Sequence, residues 1–303
     1  MENAELKQSD LAEIAYINAK DEYTHYEVYK RLSELKHGRF THSDFTNTLS
    51  DLAGAEYRHY VFWARYCPGR KPTASRLTVY LIVLVRFFLG VTFAVRYLER
   101  NEARTVRKYR EAAHLIPSED KEQFNGMIAD EDEHEQKFAG EFDEPHLKYI
   151  SFIVLGLADA LVEIAGIHAG SLGIYNSTEL AGLAGVVAGA AASLSMASAA
   201  YAQAKAGFKG SATVSAIYTG ISYFLTAVVL ATPYFLTKVM VDALVVSLIL
   251  AVILMAFTTF YGSVISGVAF MKDFLEITGI MFGATAALYM LGLGIRYLTG
   301  ITV

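Results

Sequence analysis

The chain has one cysteine, Cys67, among its 303 residues. A single thiol excludes an intramolecular disulfide framework and fits a reducing compartment. Net positive charge is also missing: the formal balance is -5, which leaves no basic footprint for nucleic acid. No signal-peptide pattern precedes residue 76, so the N-terminal half is expected to stay cytoplasmic. The most informative scarcity is local. Residues 149–303 hold 5 Lys+Arg and 6 Asp+Glu, against 21 and 25 in residues 1–148. That second half also has 17 of the 23 glycines and one of the eight histidines. The mean hydropathy of +0.32 therefore averages a water-soluble half with a lipid-soluble one. One uniform soluble domain is excluded, and two domains of roughly 150 residues suit the length.

What is present in the second half is apolar chain in pieces of spanning length, for which roughly 20 residues suffice. Five stretches qualify, at about 149–174, 180–204, 211–236, 240–268 and 274–298. Their expected joins are Asn176 to Glu179, Lys205 to Lys209, Thr232-Pro233-Tyr234, and Lys272-Asp273. With residues 1–148 cytoplasmic, Lys148, Lys205, Lys209 and Lys272 fall inside, and Lys238 and Arg296 outside. The positive-inside rule favours that orientation, and an odd number of spans places the C-terminus on the opposite side.

Ionisable side chains inside a span are costly and mark pathways. The first span carries Asp159 and Glu163, four residues apart and so on one helical face, with His168 further along. Two carboxylates one turn apart suit a hydrated divalent cation or a proton relay; a structural pair bonded to neighbouring helices is the plainer alternative. His168 is either part of that pathway or an interfacial residue. The second span is rich in Gly, Ala and Ser, which lets helices approach closely. Within it Met196 is either packing material or a soft ligand for a late first-row metal.

The run Leu-Gly-Leu-Ala-Asp-Ala-Leu-Val from Leu155, and Ala-Gly-Leu-Ala-Gly from Ala181 followed by Leu-Ser-Met-Ala from Leu194, resemble the vacuolar iron transporter family. That family comprises proton-coupled carriers of ferrous iron and manganese. The resemblance covers residues 149–303 and implies that Asp159 and Met196 line a translocation path. The chain departs from the family pattern twice. Ala199-Ala200-Tyr201 stands where Gly-Glu-Tyr is common, and Lys205 to Ser211 replaces a long acidic insert.

Residues 1–148 predict four helices, at about 9–36 with Ser9 as cap, 42–66 starting at His42 or Ser43, 91–114, and from Ser118 onward. Asp120 and Glu122 in the first turn of the fourth favour its dipole. Each helix has an acidic residue or cluster near its centre: Glu22 in the first, Glu56-Tyr-Arg-His59 in the second, Glu99 and Glu102 in the third, and Glu131-Asp-Glu-His134 in the fourth. A Glu-x-x-His pair puts both side chains on one face. Two such pairs on alternate helices, with central acids on the others, make the ligand inventory of a di-metal carboxylate bundle. Carboxylates with imidazoles suit iron or manganese.

This half resembles the ferritin-like superfamily, rubrerythrin in particular. Glu22 followed by Tyr29, and Leu98-Glu99-Arg100-Asn101, are similar to ligand-bearing ferritin helices. Whether Glu99 or Glu102 binds metal stays open; His25, Glu27 and Glu133 are read as surroundings or solvent-facing. The cysteine module of many rubrerythrins is absent. Residues 76–90 interrupt an apolar strip with Arg86 and are expected to form a crossover or helix extension lying against the membrane or a second protomer.

The expected protein is all-α, a ferritin-like four-helix bundle in residues 1–148 followed by five transmembrane helices in 149–303. The resemblances imply an integral membrane exporter of Fe2+ or Mn2+, driven by proton antiport; a storage cage is not expected, because a membrane tether on every protomer obstructs a closed soluble shell. Two iron ions, or iron and manganese, would occupy the bundle, held by Glu22, Glu56, His59, Glu99, Glu102, Glu131 and His134. The transport path would run by Asp159, Glu163 and Met196. The expected partners are metal ions, protons, the lipid bilayer and a second copy in a homodimer. The alternative is a membrane-anchored di-iron ferroxidase or peroxidase.

Overall fold

A computed structural model of the chain describes residues 2–35, 43–141, 149–172 and 174–300, with side chains from residue 10 onward except at 43–45, 101–104 and 132–141. Ten α-helices and one 3-10 turn account for nearly all of it, and no strand occurs among the described residues. The chain divides into two compact units, Met1–Glu144 and Pro145–Val303.

The first unit contains α1 (Glu2–Glu34), α2 (Ser43–Ala64), α3 (Arg76–Leu89), α4 (Val91–Ala112) and α5 (Lys121–Glu141), the last preceded by a 3-10 turn at Ser118–Asp120. Helix α1 begins earlier than the sequence suggested, so Ser9 lies inside it rather than capping it. Helix α1 packs on α2, α3 and α4, while α5 packs on α2 and α4.

Two apolar clusters form within this unit. One joins Val28, Tyr29 and Leu32 of α1 to Leu49, Leu52 and Ala53 of α2, Val79 and Ile82 of α3, and Val91 to Leu98 of α4. The other joins Leu11, Ala15 and Ala19 of α1 to Phe62 and Trp63 of α2, Tyr109 of α4, and Phe124 and Met127 of α5. Glu22 of α1, Glu56 of α2 and Glu99 of α4 fall along the chain between the two clusters. The helices thus carry a polar layer between two apolar plugs.

Residues 76–89 form a helix of their own. The Ser75 hydroxyl caps it by accepting from the Thr78 backbone N–H. Gly90, at φ 88 and ψ 161, ends α3 and opens α4. That conformation belongs essentially to glycine, which explains a break in an otherwise continuous apolar run. Fourteen residues span about 21 Å as helix, less than a bilayer requires. Val79 and Ile82 face the core, while Leu77, Tyr80, Leu84, Phe87 and Phe88 are exposed.

The second unit contains α6 (Ile150–Leu172), α7 (Thr178–Lys205), α8 (Ala212–Leu236), α9 (Met240–Ser266) and α10 (Phe270–Thr299), all long and apolar enough to cross a membrane. Helix α6 packs against each of the other four. Ser177 and Ser211 cap α7 and α8 by accepting from Leu180 and Val214 backbone N–H groups. Two expected joins move. Pro233 lies inside α8, so the turn into α9 is Thr237 to Val239; Lys272 and Asp273 lie in the first turn of α10, after a left-handed Gly267. Proline three residues from a helix end interrupts little of the ladder, and Gly267 supplies the helix stop that the charges had suggested.

Candidate metal centre

Glu22 of α1, Glu56 and His59 of α2, and Glu131 of α5 converge. Each offers one ligand atom, and these atoms lie within 4.8 Å of one another. All four residues are buried. The reason is local: Glu56 and His59 are three apart and share a helical face, and the flanking apolar residues on each helix bury that face. His59 Nδ1 stands 2.8 Å from Glu131 Oε1 and 3.7 Å from Glu22 Oε2. His25 Nδ1 lies 3.8 Å from Glu56 Oε2, which places His25 beside the cluster, as surroundings.

Three buried carboxylates and one imidazole cannot leave their charge uncompensated. In the metal-free protein the compensation is a proton. Burial alone would lower the His59 imidazole, but hydrogen bonds to Glu131 and Glu22, and their charge, push it up to about 10. Burial would likewise raise the Glu22 carboxyl, yet hydrogen bonds from His59 and with Glu56, and the charge of His59 and His25, hold it down at about 2. A divalent cation could replace that proton and satisfy the same oxygens. The donor set, oxygen-rich with one imidazole, fits a hard or intermediate metal ion.

Glu99 of α4 is buried and accepts a hydrogen bond from the Tyr29 hydroxyl of α1. The side chains of Glu102 and His134 lie outside the described residues, as does that of Glu133. The structure therefore gathers four of the seven expected ligands into one cluster and buries a fifth, Glu99, on a neighbouring helix.

Two residues beside the cluster were not foreseen from the sequence. The buried Tyr109 hydroxyl of α4 donates to Glu22 Oε1; burial, together with the charge of Glu22, raises its own ionisation well above the ordinary phenol value, so it remains a donor. Its signal was present, since Tyr109 continues the apolar spacing of Val95, Leu98 and Val106 along α4. Asp130 is the other: its carboxylate lies 3.6 Å from His59 Nε2 and 3.9 Å from Arg58. A cleft of about 270 Å3, lined by Arg58, His59, Phe62, Gln123, Met127 and Asp130, leads from solvent to the His59 ring.

In the second unit, Asp159 is partly buried and Glu163 is exposed on α6. The Tyr223 hydroxyl of α8 donates to Glu163 Oε2 at 2.6 Å. Met196 of α7 is partly buried and packs against the central apolar cluster that contains Leu161, Ile164 and Tyr223. His168 is fully buried, on the side of α6 away from Asp159 and Glu163.

Comparison with protein-family models, with curated proteins and with solved structures finds no match to this chain.

Proposed function

We propose that the protein exports a divalent metal, Fe2+ or Mn2+, from the cytosol by proton antiport, and that its first unit captures, senses or loads the metal. The observation that carries this reading is a pair of carboxylates, Asp159 and Glu163, on a helix of membrane-spanning length and composition. Such groups are retained in a span at a cost of about 2.5–3.5 kcal/mol each when they face lipid. Anchoring a soluble enzyme needs one span; five, with carboxylates on the helix that packs against all the others, suit a path for cations.

The first unit supports the choice of cargo. Glu22, Glu56, His59 and Glu131, with Glu99 and the further expected ligands Glu102 and His134, would hold two iron ions, or iron and manganese, in a ferritin-like arrangement. When bound, such a pair supplies exchangeable divalent charge and one-electron chemistry. The protein's own groups do the rest. Carboxylates orient and neutralise the cations, the Tyr109 hydroxyl fixes Glu22, and the flanking plugs exclude water. Metal leaving this unit would pass by Asp159, Glu163 and Met196, and protons moving inward would discharge the carboxylates for the next cycle.

Glu163 is exposed on the single protomer while it accepts from Tyr223. A second copy covering that face, with the path between protomers, would give the carboxylate a hydrated environment. The resemblances to vacuolar iron transporters and to rubrerythrin-like proteins point the same way. The test is metal efflux from proteoliposomes. Asp159→Asn should abolish it while leaving the metal content of the first unit intact. Efflux at the wild-type rate would refute the transport assignment. Oxygen consumption that survives Asp159→Asn and fails with Glu131→Ala would instead favour the anchored ferroxidase.

A further inference from the structure

His168 of α6 has no solvent exposure, and neither of its ring nitrogens has a hydrogen-bond partner. Tyr234 of α8 is also fully buried with an unpartnered hydroxyl. The two rings lie against each other, centroids 4.3 Å apart and tilted by 36°. Two buried polar side chains side by side, neither satisfied, are costly, because each has given up its hydrogen bonds to water without replacement. Phenylalanine or leucine would fill the same space without that cost.

The neighbouring helix is shaped for this pair. A Cβ at Gly185 of α7 would lie 2.2 Å from His168 Nε2, and a Cβ at Gly182 would lie 2.8 Å from the Tyr234 Cβ. Glycine at both positions lets the α7 backbone close over the rings. So tight a fit at Nε2 leaves room for a proton and none for a metal ion with its own ligands, which stands about 2.0–2.1 Å from an imidazole nitrogen.

No carboxylate lies within ion-pair distance of the ring among the described residues. On its own helix the nearest acid is Glu163, which is exposed and takes the Tyr223 hydroxyl. The acid of α7 is Glu179, paired with Lys238 at 3.1 Å. Helix α9, which meets Tyr234 through Ala243, contributes the exposed Asp242 of its first turn. Helix α10, which meets α6 through Leu288 at Gly166 and Gly170, contributes Tyr289. Among the groups on these elements, the unpartnered Tyr234 hydroxyl, on the ring against His168, is the one available to accept from an imidazolium when the site opens.

We propose that His168 and Tyr234 form a proton-binding site, closed in this conformation by the α7 backbone at Gly182 and Gly185 and loaded when that cover opens. The imidazole takes one proton from hydronium at the end of α6 remote from Ile150, leaving water. The resulting imidazolium donates from a ring nitrogen to the Tyr234 hydroxyl oxygen, and the same proton returns to water when the site is emptied. His168 lies nine residues, about 13.5 Å of helix, beyond Asp159. The site thus offers the antiport cycle a proton station separate from the metal carboxylates. The proposal rests on the transport reading for its purpose, and on the geometry alone for its existence.

Two measurements on the full chain in lipid bilayers test it. The first is deuterium exchange at the histidine ring C2 position, read for each histidine by mass spectrometry. His168 should exchange within about a hundredfold of the exposed His114, with a pH midpoint that Tyr234→Phe shifts; opening events report in this way. Slower exchange, or a midpoint indifferent to Tyr234→Phe, overturns the proposal. The second is Mn2+ flux against a pH gradient. His168→Gln, and Tyr234→Phe as the milder variant, should keep downhill Mn2+ flux and lose about tenfold of its acceleration by the gradient. An unchanged acceleration overturns the proposal. If wild-type protein moves no Mn2+ or Fe2+, the transport reading falls, and ring exchange still decides the site.

Discussion

The His59 imidazole sits between Glu131 and Glu22 as a protonated stand-in for a metal ion. Its contribution to metal-free stability is fully present below the ordinary imidazole value of 6.5 and is lost as pH rises through about 10. Glu22 behaves oppositely: its contribution is present above the ordinary 4.5 and is lost as pH falls toward about 2. Thermal unfolding of the metal-free protein should accordingly show a plateau between about pH 4.5 and 6.5 and a decline on either side. Because a ligating imidazole must be neutral, metal binding expels the His59 proton. Affinity for Mn2+ should then rise about tenfold per pH unit across the neutral range, measured by competition titration; a flat dependence would mean that His59 does not ligate. Tyr109→Phe, which removes the donor to Glu22, should weaken the same affinity by about 10–100-fold. Asp130 stands half-exposed at the mouth of the cleft beside His59. Asp130→Asn should slow metal capture and flatten its dependence on ionic strength, seen by stopped-flow, with little change in affinity at equilibrium.

At the scale of the helix, the ligand positions Glu56 and His59 were legible in the sequence because an i, i+3 pair converges on any helical face. Glu131 was legible by the same spacing to His134, and Glu22 only as a central acid. What brings them together is tertiary, since it depends on which face of α1 and α5 the two plugs bury. Tyr109 was hidden for the same reason: one aromatic in an apolar stripe looks like core until a partner helix supplies a carboxylate. Joins in the second unit were drawn at charges and proline, but Pro233 and Lys272 fall within helices, because backbone geometry at Gly267, rather than charge, terminates α9. The break at Gly90 separates α3 from α4. Gly90→Ala should destabilise the first unit by about 1–3 kcal/mol, read as a lower midpoint in denaturant with the second unit's helicity retained.

For the whole chain, the contrast between 46 charges before Tyr149 and 11 from there on corresponds to two compact units with separate cores. Substitutions in one should leave the other's folding intact, so Glu131→Ala and Asp159→Asn ought to be independent in stability. Any coupling found in flux would then be functional in origin. The layered packing of the first unit has a consequence of its own. With aromatic and aliphatic residues filling the bundle on either side of Glu22, Glu56 and His59, the described approach to the cluster is from the side, through the cleft at His59. If ions enter and depart by that doorway, occupancy tracks the metal supply in the medium facing it. Such a chamber works as a gauge whose reading resets at the rate of that doorway.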